Sequence, residues 1–147
     1  MIRHISGIAE IVDDIGDAVE FYQEVLGFNV DYEPGSGYAT IEIPGILHFG
    51  IWDRESAAEM TYGDRNRMDD ISLGFSIGFE VDAVKESIEK AEAKGWPVLQ
   101  GSKVEPWGQV TGRFNSPSGA LCEFSEMPRA RRLTQSMIAT GESELQE

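Results

Sequence analysis

The stretch IVDDIGDAVEFYQEVLGF, residues 11–28, carries the strongest local signal in the chain. A run of β-branched residues, 8–12, leads into Asp13 and Asp14, and an aspartate in this place can accept the free N–H groups at the start of a helix. Apolar residues then recur at spacings of three and four over 15–26, which predicts an amphipathic helix. Gly27 follows, in the position where many helices end in a left-handed glycine.

Three strands are predicted after this helix, each bounded by turn residues. Residues 28–32, 38–43 and 46–52 are rich in β-branched and aromatic side chains. A Pro-Gly-Ser-Gly turn at 34–37 and a Pro-Gly turn at 44–45 separate them. The first half of the chain is therefore predicted to be a β-α-β-β-β unit.

The second half repeats the same order of elements. Asp82 follows a predicted strand and is a candidate helix cap, and the helix is predicted to end at Gly95. Its apolar positions lie at helical spacing: Val84, Ile88, Ala91. The strands of this half are predicted over residues 71–81, 97–99, 109–114 and 120–124. Asp82 and Gly95 each lie 68 residues after Asp14 and Gly27, and this constant spacing indicates an internal repeat.

The repeat predicts a single α+β domain over residues 1–127, with two tandem βαβββ modules at about 4–53 and 71–127. The segment 54–70 is polar and has no apolar period longer than one turn, so we interpret it as a linker with at most one short helical turn. Residues 128–147 combine basic residues with apolar ones at helical spacing. We interpret them as a solvated C-terminal helix followed by an acidic tail.

Length, composition and charge restrict the class of protein. The 147 residues correspond to about one domain, and 41% hydrophobic and 26% charged residues are ordinary values. No apolar run approaches the ~20 residues of a membrane span, and the first residues lack the apolar core of a secretory signal, so we expect a cytoplasmic protein. A net charge of −14 disfavours nucleic acid and anionic membranes as partners. The single cysteine, Cys122, cannot form an internal disulfide.

Motifs in both halves of the chain carry a family resemblance. The first half has Val-Asp-Asp-Ile at 12–15, then Phe-Tyr and Leu-Gly-Phe within 21–28. The second half has Phe-Glu-Val-Asp at 79–82, Pro-Trp-Gly-Gln at 106–109, and the stretch 114–124 that contains Pro-Ser-Gly and a glutamate. Together they resemble the vicinal oxygen chelate superfamily, which includes glyoxalase I, extradiol dioxygenases, and the bleomycin and fosfomycin resistance proteins. The resemblance covers residues 4–126.

The resemblance implies a fold, an assembly and a metal chemistry. The eight strands of two βαβββ modules are expected to curve around a central cleft, and members commonly form homodimers. The metal-dependent members hold a divalent cation in the cleft, where it acts as a Lewis acid on adjacent substrate oxygens.

The metal ligands implied by the resemblance are largely missing from this sequence. The four positions are Gly7 (Ile8 with a slip of one residue), Ser76 (Ile77 with the same slip), Phe49 and Glu123. Only Glu123 is a ligand type, whereas a catalytic transition-metal site usually has three protein ligands. We therefore expect no metal cofactor; the alternative is one divalent ion that involves Glu123. Three further side chains could serve as metal ligands and keep that alternative open: His4, Glu10 and His48.

Two interpretations of Glu123 stay open at this point. It is a candidate catalytic general base in the cleft, or it is a hydrogen-bonded strand carboxylate. We interpret His4 and His48 as structural residues, and strand alternation is expected to turn His48 away from the cleft. Cys122 is expected to be a small core residue.

Aromatic residues on the predicted strands and loops suggest a small-molecule site. Trp107, in the Pro-Trp-Gly-Gln loop, is expected at the mouth of the cleft, with Gln109 and Arg113 as polar contacts. Phe75 and Phe114 are expected to fill the core. The complete predicted ligand-binding set is Tyr38, Phe49, Trp52, Ser76, Trp107, Gln109 and Arg113.

Two functions are compatible with the sequence. The leading hypothesis is a metal-free binding protein for a small planar or aromatic molecule, similar to the drug-sequestering resistance proteins. The alternative is a lyase, isomerase or dioxygenase that uses a divalent metal with atypical ligands, or that uses Glu123 alone.

Overall fold

Eight strands form one curved mixed sheet in the part of the chain that the computed structural model describes, residues 1–127. Their order across the sheet is β2-β3-β4-β1-β5-β8-β7-β6. The strands are β1 (Ile2–Val12), β2 (Val30–Asp31), β3 (Tyr38–Ile41), β4 (Phe49–Asp53), β5 (Gly74–Val81), β6 (Val98–Val104), β7 (Val110–Asn115) and β8 (Leu121–Glu126). The α+β fold predicted from the duplicated unit is confirmed.

The two modules meet at the centre of the sheet, where β1 and β5 run antiparallel and Ile8 pairs with Ile77. On its other side each of these strands pairs in parallel with the last strand of its own module, β1 with β4 and β5 with β8. The remaining pairs are antiparallel. This arrangement places the first and last strands of both modules side by side.

A helix packs on the sheet of each module: α1 (Ile15–Glu20), which continues as a π-helical turn (Phe21–Val25), and α3 (Val84–Ala93). The carboxylate of Asp14 accepts a hydrogen bond from the N–H of Asp17 at 3.0 Å, so the predicted cap of the first helix is confirmed. Gly27 and Gly95 have φ angles of +76° and +80°, which only glycine adopts without strain.

The predicted cap of the second helix is wrong. The N-cap residue of α3 is Ala83, and the carboxylate of Asp82 instead accepts a hydrogen bond from Arg3 at 2.6 Å. The first N–H of the helix, that of Val84, donates to Oε1 of Glu126 at 2.6 Å. Glu126 comes from β8, so the cap depends on strand pairing and has no local signature in the sequence.

The segment 54–70 also differs from the prediction. It is not an irregular linker but contains α2 (Arg54–Tyr62) and a 3-10 helix (Arg65–Asp70). Ala57 and Ala58 are completely buried, in a cluster with residues from both modules: Ile11, Ile71, Leu121. The buried side of α2 consists of small residues, so the helix lacks the apolar period that reveals α1 and α3.

Strand limits differ from the predictions in both modules, and in the second the strand predicted over 97–99 extends as β6 to Val104. β1 begins at Ile2 rather than at residue 8, and the strand predicted over 28–32 is reduced to Val30–Asp31. The helix predicted over 128–147 lies outside the described residues. Within residues 1–127, no helix is long and apolar enough to cross a membrane.

Candidate functional site

A cavity of about 620 Å³ lies on the face of the sheet opposite α1 and α3. Alternation along the strands produces it, because Arg113 and Glu123 line the cavity while their neighbours Phe114 and Phe124 pack against α3. Seven of the eight predicted site residues line this one cavity: Tyr38, Trp52, Ser76, Trp107, Gln109, Arg113 and Glu123. Their ligand-binding and catalytic roles stay predictions.

Phe49 is the predicted site residue that lies elsewhere. Its ring packs on Tyr22 in the core beneath α1, with centroids 5.7 Å apart, and it does not line the cavity. The alternation predicted for β4 is shifted by one residue, so His48 lines the cavity rather than facing away.

The strand pairing identifies the true counterpart of Glu123 in the first module. Phe49 pairs with Ile8 as Cys122 pairs with Ile77, so Phe49 corresponds to Cys122. The next residue, Gly50, therefore corresponds to Glu123.

The donor set at these positions does not fit a divalent metal. Gly7 and Gly50 have no side-chain donor, and the hydroxyl of Ser76 donates to the carbonyl of Ala9 at 3.3 Å. A Cβ on Gly50 would overlap the hydroxyl of Tyr38, so this tyrosine fills the space of a side chain from that position. Within residues 1–127, no group of three His, Cys, Asp or Glu side chains is arranged to hold a metal ion.

The three further side chains that could complete a metal site are separated by the fold. Glu10 accepts a hydrogen bond from the hydroxyl of Tyr22 at 2.6 Å, and Tyr22 belongs to the core beneath α1. His4 does not line the cavity. His48 lines it, with Nε2 2.5 Å from the hydroxyl of Tyr38.

Glu123 is held by a buried arginine. Arg113 is 3% exposed, and its Nε and Nη2 lie 3.1 and 3.0 Å from Oε2 of Glu123. Its other N–H groups face the carbonyl of Met60 and the side chains of Gln100 and Glu105. Gln100 and Glu123 are the cross-strand partners of Arg113 on β6 and β8, so the pairing of three strands places these three side chains side by side.

The other oxygen of Glu123 is connected to the mouth of the cavity. Oε1 accepts a hydrogen bond from Nε2 of Gln109 at 3.3 Å, and the Gln109 carbonyl accepts one from Nε1 of Trp107 at 2.8 Å. Trp107 is 55% exposed, so the loop presents an indole to solvent beside the cavity. Burial is the main cause that raises the pKa of Glu123, and the Arg113 charge opposes it.

The Tyr38–His48 pair forms another part of the wall. Burial and the charge of Glu123 raise the pKa of Tyr38, so its hydroxyl stays protonated at neutral pH. Burial lowers the pKa of His48, which favours the neutral imidazole. The pair thus adds hydrogen-bonding groups to the cavity without adding a charge.

The other aromatic and cysteine predictions have mixed outcomes. Phe114 packs in the core against α3, as expected, and Cys122 is buried. Phe75 is 54% exposed, so its predicted core position is wrong. Trp96 is 50% exposed and does not line the cavity.

Sequence reasoning missed Glu105 and Gln100, which surround Arg113. Glu105 is 3% exposed and accepts a hydrogen bond from the hydroxyl of Thr111 at 2.9 Å. Its ion pair with Arg113 has no simple signal in the sequence, because the cross-strand partner of Arg113 in this hairpin is Gln100 and not Glu105.

Comparison with known proteins gives consistent results at the level of the fold. Among curated protein sequences no significant match is found. The chain is similar in structure to a glyoxalase/bleomycin resistance protein/dioxygenase superfamily member from Vibrio splendidus 12B01, with a TM-score of 0.58 and 17% identity over 86% of this chain and 100% of that one. It is also similar to methylmalonyl-CoA epimerase of Streptomyces coelicolor, with a TM-score of 0.57 and 19% identity over 87% and 99% of the two chains.

A third similar structure is methylmalonyl-CoA epimerase from Mycobacterium tuberculosis, with a TM-score of 0.55 and 14% identity over 89% of this chain and 93% of that one. A family model matches residues 4–124, nearly the whole span over which the sequence motifs were found. The chain belongs to the glyoxalase/bleomycin resistance protein/dioxygenase superfamily.

Proposed function

We propose that this protein binds a small planar or aromatic molecule in its cavity without a bound metal. The observation that carries the proposal is the combination of an aromatic cavity wall with a donor set unsuited to a metal. Trp52, Trp107 and Tyr38 line the cavity, whereas glycines stand at two of the four ligand positions. A largely apolar cavity with a few fixed polar groups is the usual form of a small-molecule site.

The Glu123–Arg113 pair supports binding over metal-dependent catalysis. A metal ligand must offer its carboxylate to the ion, but one oxygen of Glu123 already receives two N–H groups of a buried guanidinium. Removing the carboxylate from that pair would leave Arg113 buried among fewer acceptors, which is costly. The metal-dependent form of the lyase, isomerase or dioxygenase alternative therefore requires ligands that these positions do not supply.

Tryptophan fluorescence provides the direct test of binding. Trp52 and Trp107 line the cavity and Trp96 does not, so the Trp96→Phe variant reports on cavity tryptophans alone. We expect quinones or nitroaromatic compounds to quench this variant saturably. Failure of the whole panel to quench at millimolar concentration, together with failure of the indoles tested below to bind, would reject the proposal.

Elemental analysis tests the metal-free part separately. We expect no stoichiometric Ni, Zn, Fe or Mn in protein purified without a metal-affinity tag. About one metal per chain in the native protein, lost in Glu123→Ala, would instead support the metal-dependent alternative.

The proposal includes a homodimer in the cytoplasm. The support for a dimer is the exposure of Phe21 and Phe75, which are each about half exposed. Their rings are connected through the core by ring contacts with Tyr22 and Phe49. Exposed apolar groups of this kind commonly mark protein interfaces. The cytoplasmic location stays a prediction.

A further inference from the structure

We propose that the ligand is an aromatic molecule carrying a positively charged amino group, and that Glu123 is the residue that selects it. This inference rests on the proposed small-molecule binding and adds the chemical class of the ligand. Three observations support it: the described cations near the cavity contact other protein groups, Oε1 of the partly exposed Glu123 accepts a long hydrogen bond, and an aromatic surface lies at a fixed place beside it.

In the part of the chain that the structure describes, the positive charges near the cavity are not available to a ligand. Arg113 is 3% exposed, and all its nitrogens face protein acceptors. Lys103 donates to the carbonyl of Met60 at 2.8 Å, lies 3.5 Å from Glu105, and does not line the cavity. The imidazole of His48 is kept neutral by burial. Among residues 1–127, an anionic ligand would therefore find no free cation in the cavity wall to receive it.

The carboxylate of Glu123, one of the two that pair with Arg113, faces the cavity. Glu105, at 2% side-chain exposure, pairs with Arg113 from behind, so the guanidinium is shared between two carboxylates. Glu123 has 23% side-chain exposure and lines the cavity. Within residues 1–127, its Oε1 receives only the long 3.3 Å bond from Gln109, whereas an ionised carboxylate can accept about four hydrogen bonds in all. Oε1 can therefore accept an ammonium N–H.

The aromatic surface is held next to this carboxylate. Gln109 bridges the two, since it accepts from Trp107 at 2.8 Å and donates to Glu123 at 3.3 Å. One glutamine side chain thus separates the indole from the carboxylate. A ring stacked on Trp107 with a short aliphatic arm would bring its ammonium group to Oε1.

Calorimetric titration with three indoles tests the inference. Tryptamine, tryptophol and indoleacetate share one ring and a two-carbon arm, and they end in an ammonium, a hydroxyl and a carboxylate. We expect tryptamine to bind at least about tenfold tighter than tryptophol, because hydrogen bonds to charged groups are the stronger ones. We expect indoleacetate to bind more weakly than tryptophol.

Two variants with the same change of charge separate the contact from the general field of the acidic protein. Glu123→Gln retains an acceptor for Arg113, and we expect it to remove most of the preference for tryptamine over tryptophol. Glu89→Gln, on the exposed side of α3, should leave the preference intact. The ranking of the three ligands on the native protein does not depend on either variant folding.

The outcomes distinguish this inference from the proposed function. If none of the three indoles binds and the quenching panel fails as well, small-molecule binding itself is rejected. If tryptophol or indoleacetate binds as tightly as tryptamine, the cavity does bind aromatic molecules but the selection for a cation is wrong. A tryptamine preference that survives in Glu123→Gln would also overturn the role assigned to Glu123.

Discussion

The side chains of Arg113, Glu123, Gln109 and Trp107 form one connected row from the buried edge of the cavity to its mouth. At the buried end Arg113 balances the charge of Glu123, and at the exposed end Gln109 fixes the indole. A substitution at the Arg113 end is therefore expected to lower stability, whereas a substitution at the Trp107 end is expected to weaken binding.

Trp107→Ala is expected to weaken the tightest ligand of the quenching panel by roughly tenfold, because an aromatic pair contributes ~0.5–1.5 kcal/mol beyond the area it buries. The urea midpoint should change little, since Trp107 is 55% exposed. Calorimetry and urea unfolding of the same variant measure both. Trp96→Ala is the matched control: Trp96 is 50% exposed and lies outside the cavity, so its loss should leave affinity unchanged. A large fall in midpoint with unaltered affinity would show that Trp107 is a core residue.

Arg113→Met is expected to lower the free energy of unfolding by about 3–5 kcal/mol, because it leaves Glu105 and Glu123 without their buried cation. Urea unfolding measures this change. Arg65→Met is the control, since Arg65 is 54% exposed and pairs with Glu55 and Glu59 at the surface, where such pairs contribute little to stability. Equal effects of the two substitutions would contradict the importance of the buried pair.

The pH dependence of stability should include a contribution from His48. Burial lowers its pKa in the folded protein below the ordinary value of 6.5, so on acidification the unfolded chain takes up this proton first. The stability contributed by His48 is therefore complete above pH 6.5 and is lost as the pH falls below it. The sequence has two histidines, and an NMR titration with His4→Gln for assignment follows each one. A pKa of His48 at or above 6.5 would contradict this expectation.

At the scale of elements, α3 approaches β7 closely at a glycine. A Cβ added to Gly112 would lie 2.6 Å from Cγ1 of Ile88 and 3.1 Å from Cγ1 of Val84, both in the buried contact between helix and sheet. The close approach of α3 to the sheet therefore depends on the absence of a side chain at residue 112.

Gly112→Ala is expected to destabilise the protein by about 1–3 kcal/mol, the usual effect of inserting a methyl group into a packed core. Gly101→Ala is the control in the adjacent strand, because a Cβ there meets no atom within 4 Å and the residue has no positive φ. Urea midpoints of both variants provide the measurement. A Gly112→Ala protein as stable as Gly101→Ala would show that α3 shifts without cost.

The helix α2 forms part of the cavity wall. Ser56 and Met60 of this helix line the cavity, and the carbonyl of Met60 accepts hydrogen bonds from Lys103 and Arg113. The helix between the modules therefore belongs to the site, although its sequence resembles a polar connection.

At the scale of the whole molecule, the exposure of Phe21 and Phe75 is expected to make the protein a dimer at micromolar concentration. Light scattering coupled to size exclusion measures the mass, which is 16.3 kDa for one chain. Phe75→Glu, on the central strand β5, should shift the protein to the monomer, whereas Val104→Glu tests a more exposed apolar residue on the edge strand β6. A monomeric native protein would reject the dimer, and disruption by Val104→Glu alone would place the interface at the sheet edge.

Local physical chemistry was sufficient for the fold. The Asp14 cap, the apolar period of α1 and the glycines at 27 and 95 are interactions among residues close in sequence, so their signals repeat visibly in both halves. The hairpin turn at 116–119 also sets Arg113 opposite Glu123, since a hairpin register follows from its turn. Most of the cavity wall was predictable for the same reason.

Tertiary structure decided what depends on contacts between distant elements. The parallel pairing of β1 with β4 turned His48 into the cavity and Phe49 into the core, because a shift of one residue exchanges the two faces of a strand. Glu126 caps α3 only through strand pairing, and α2 is held by contacts of two alanines with both modules. The sequence alone determined the duplicated fold and one row of its site; long-range packing determined which side chains complete the cavity and how their charges are arranged.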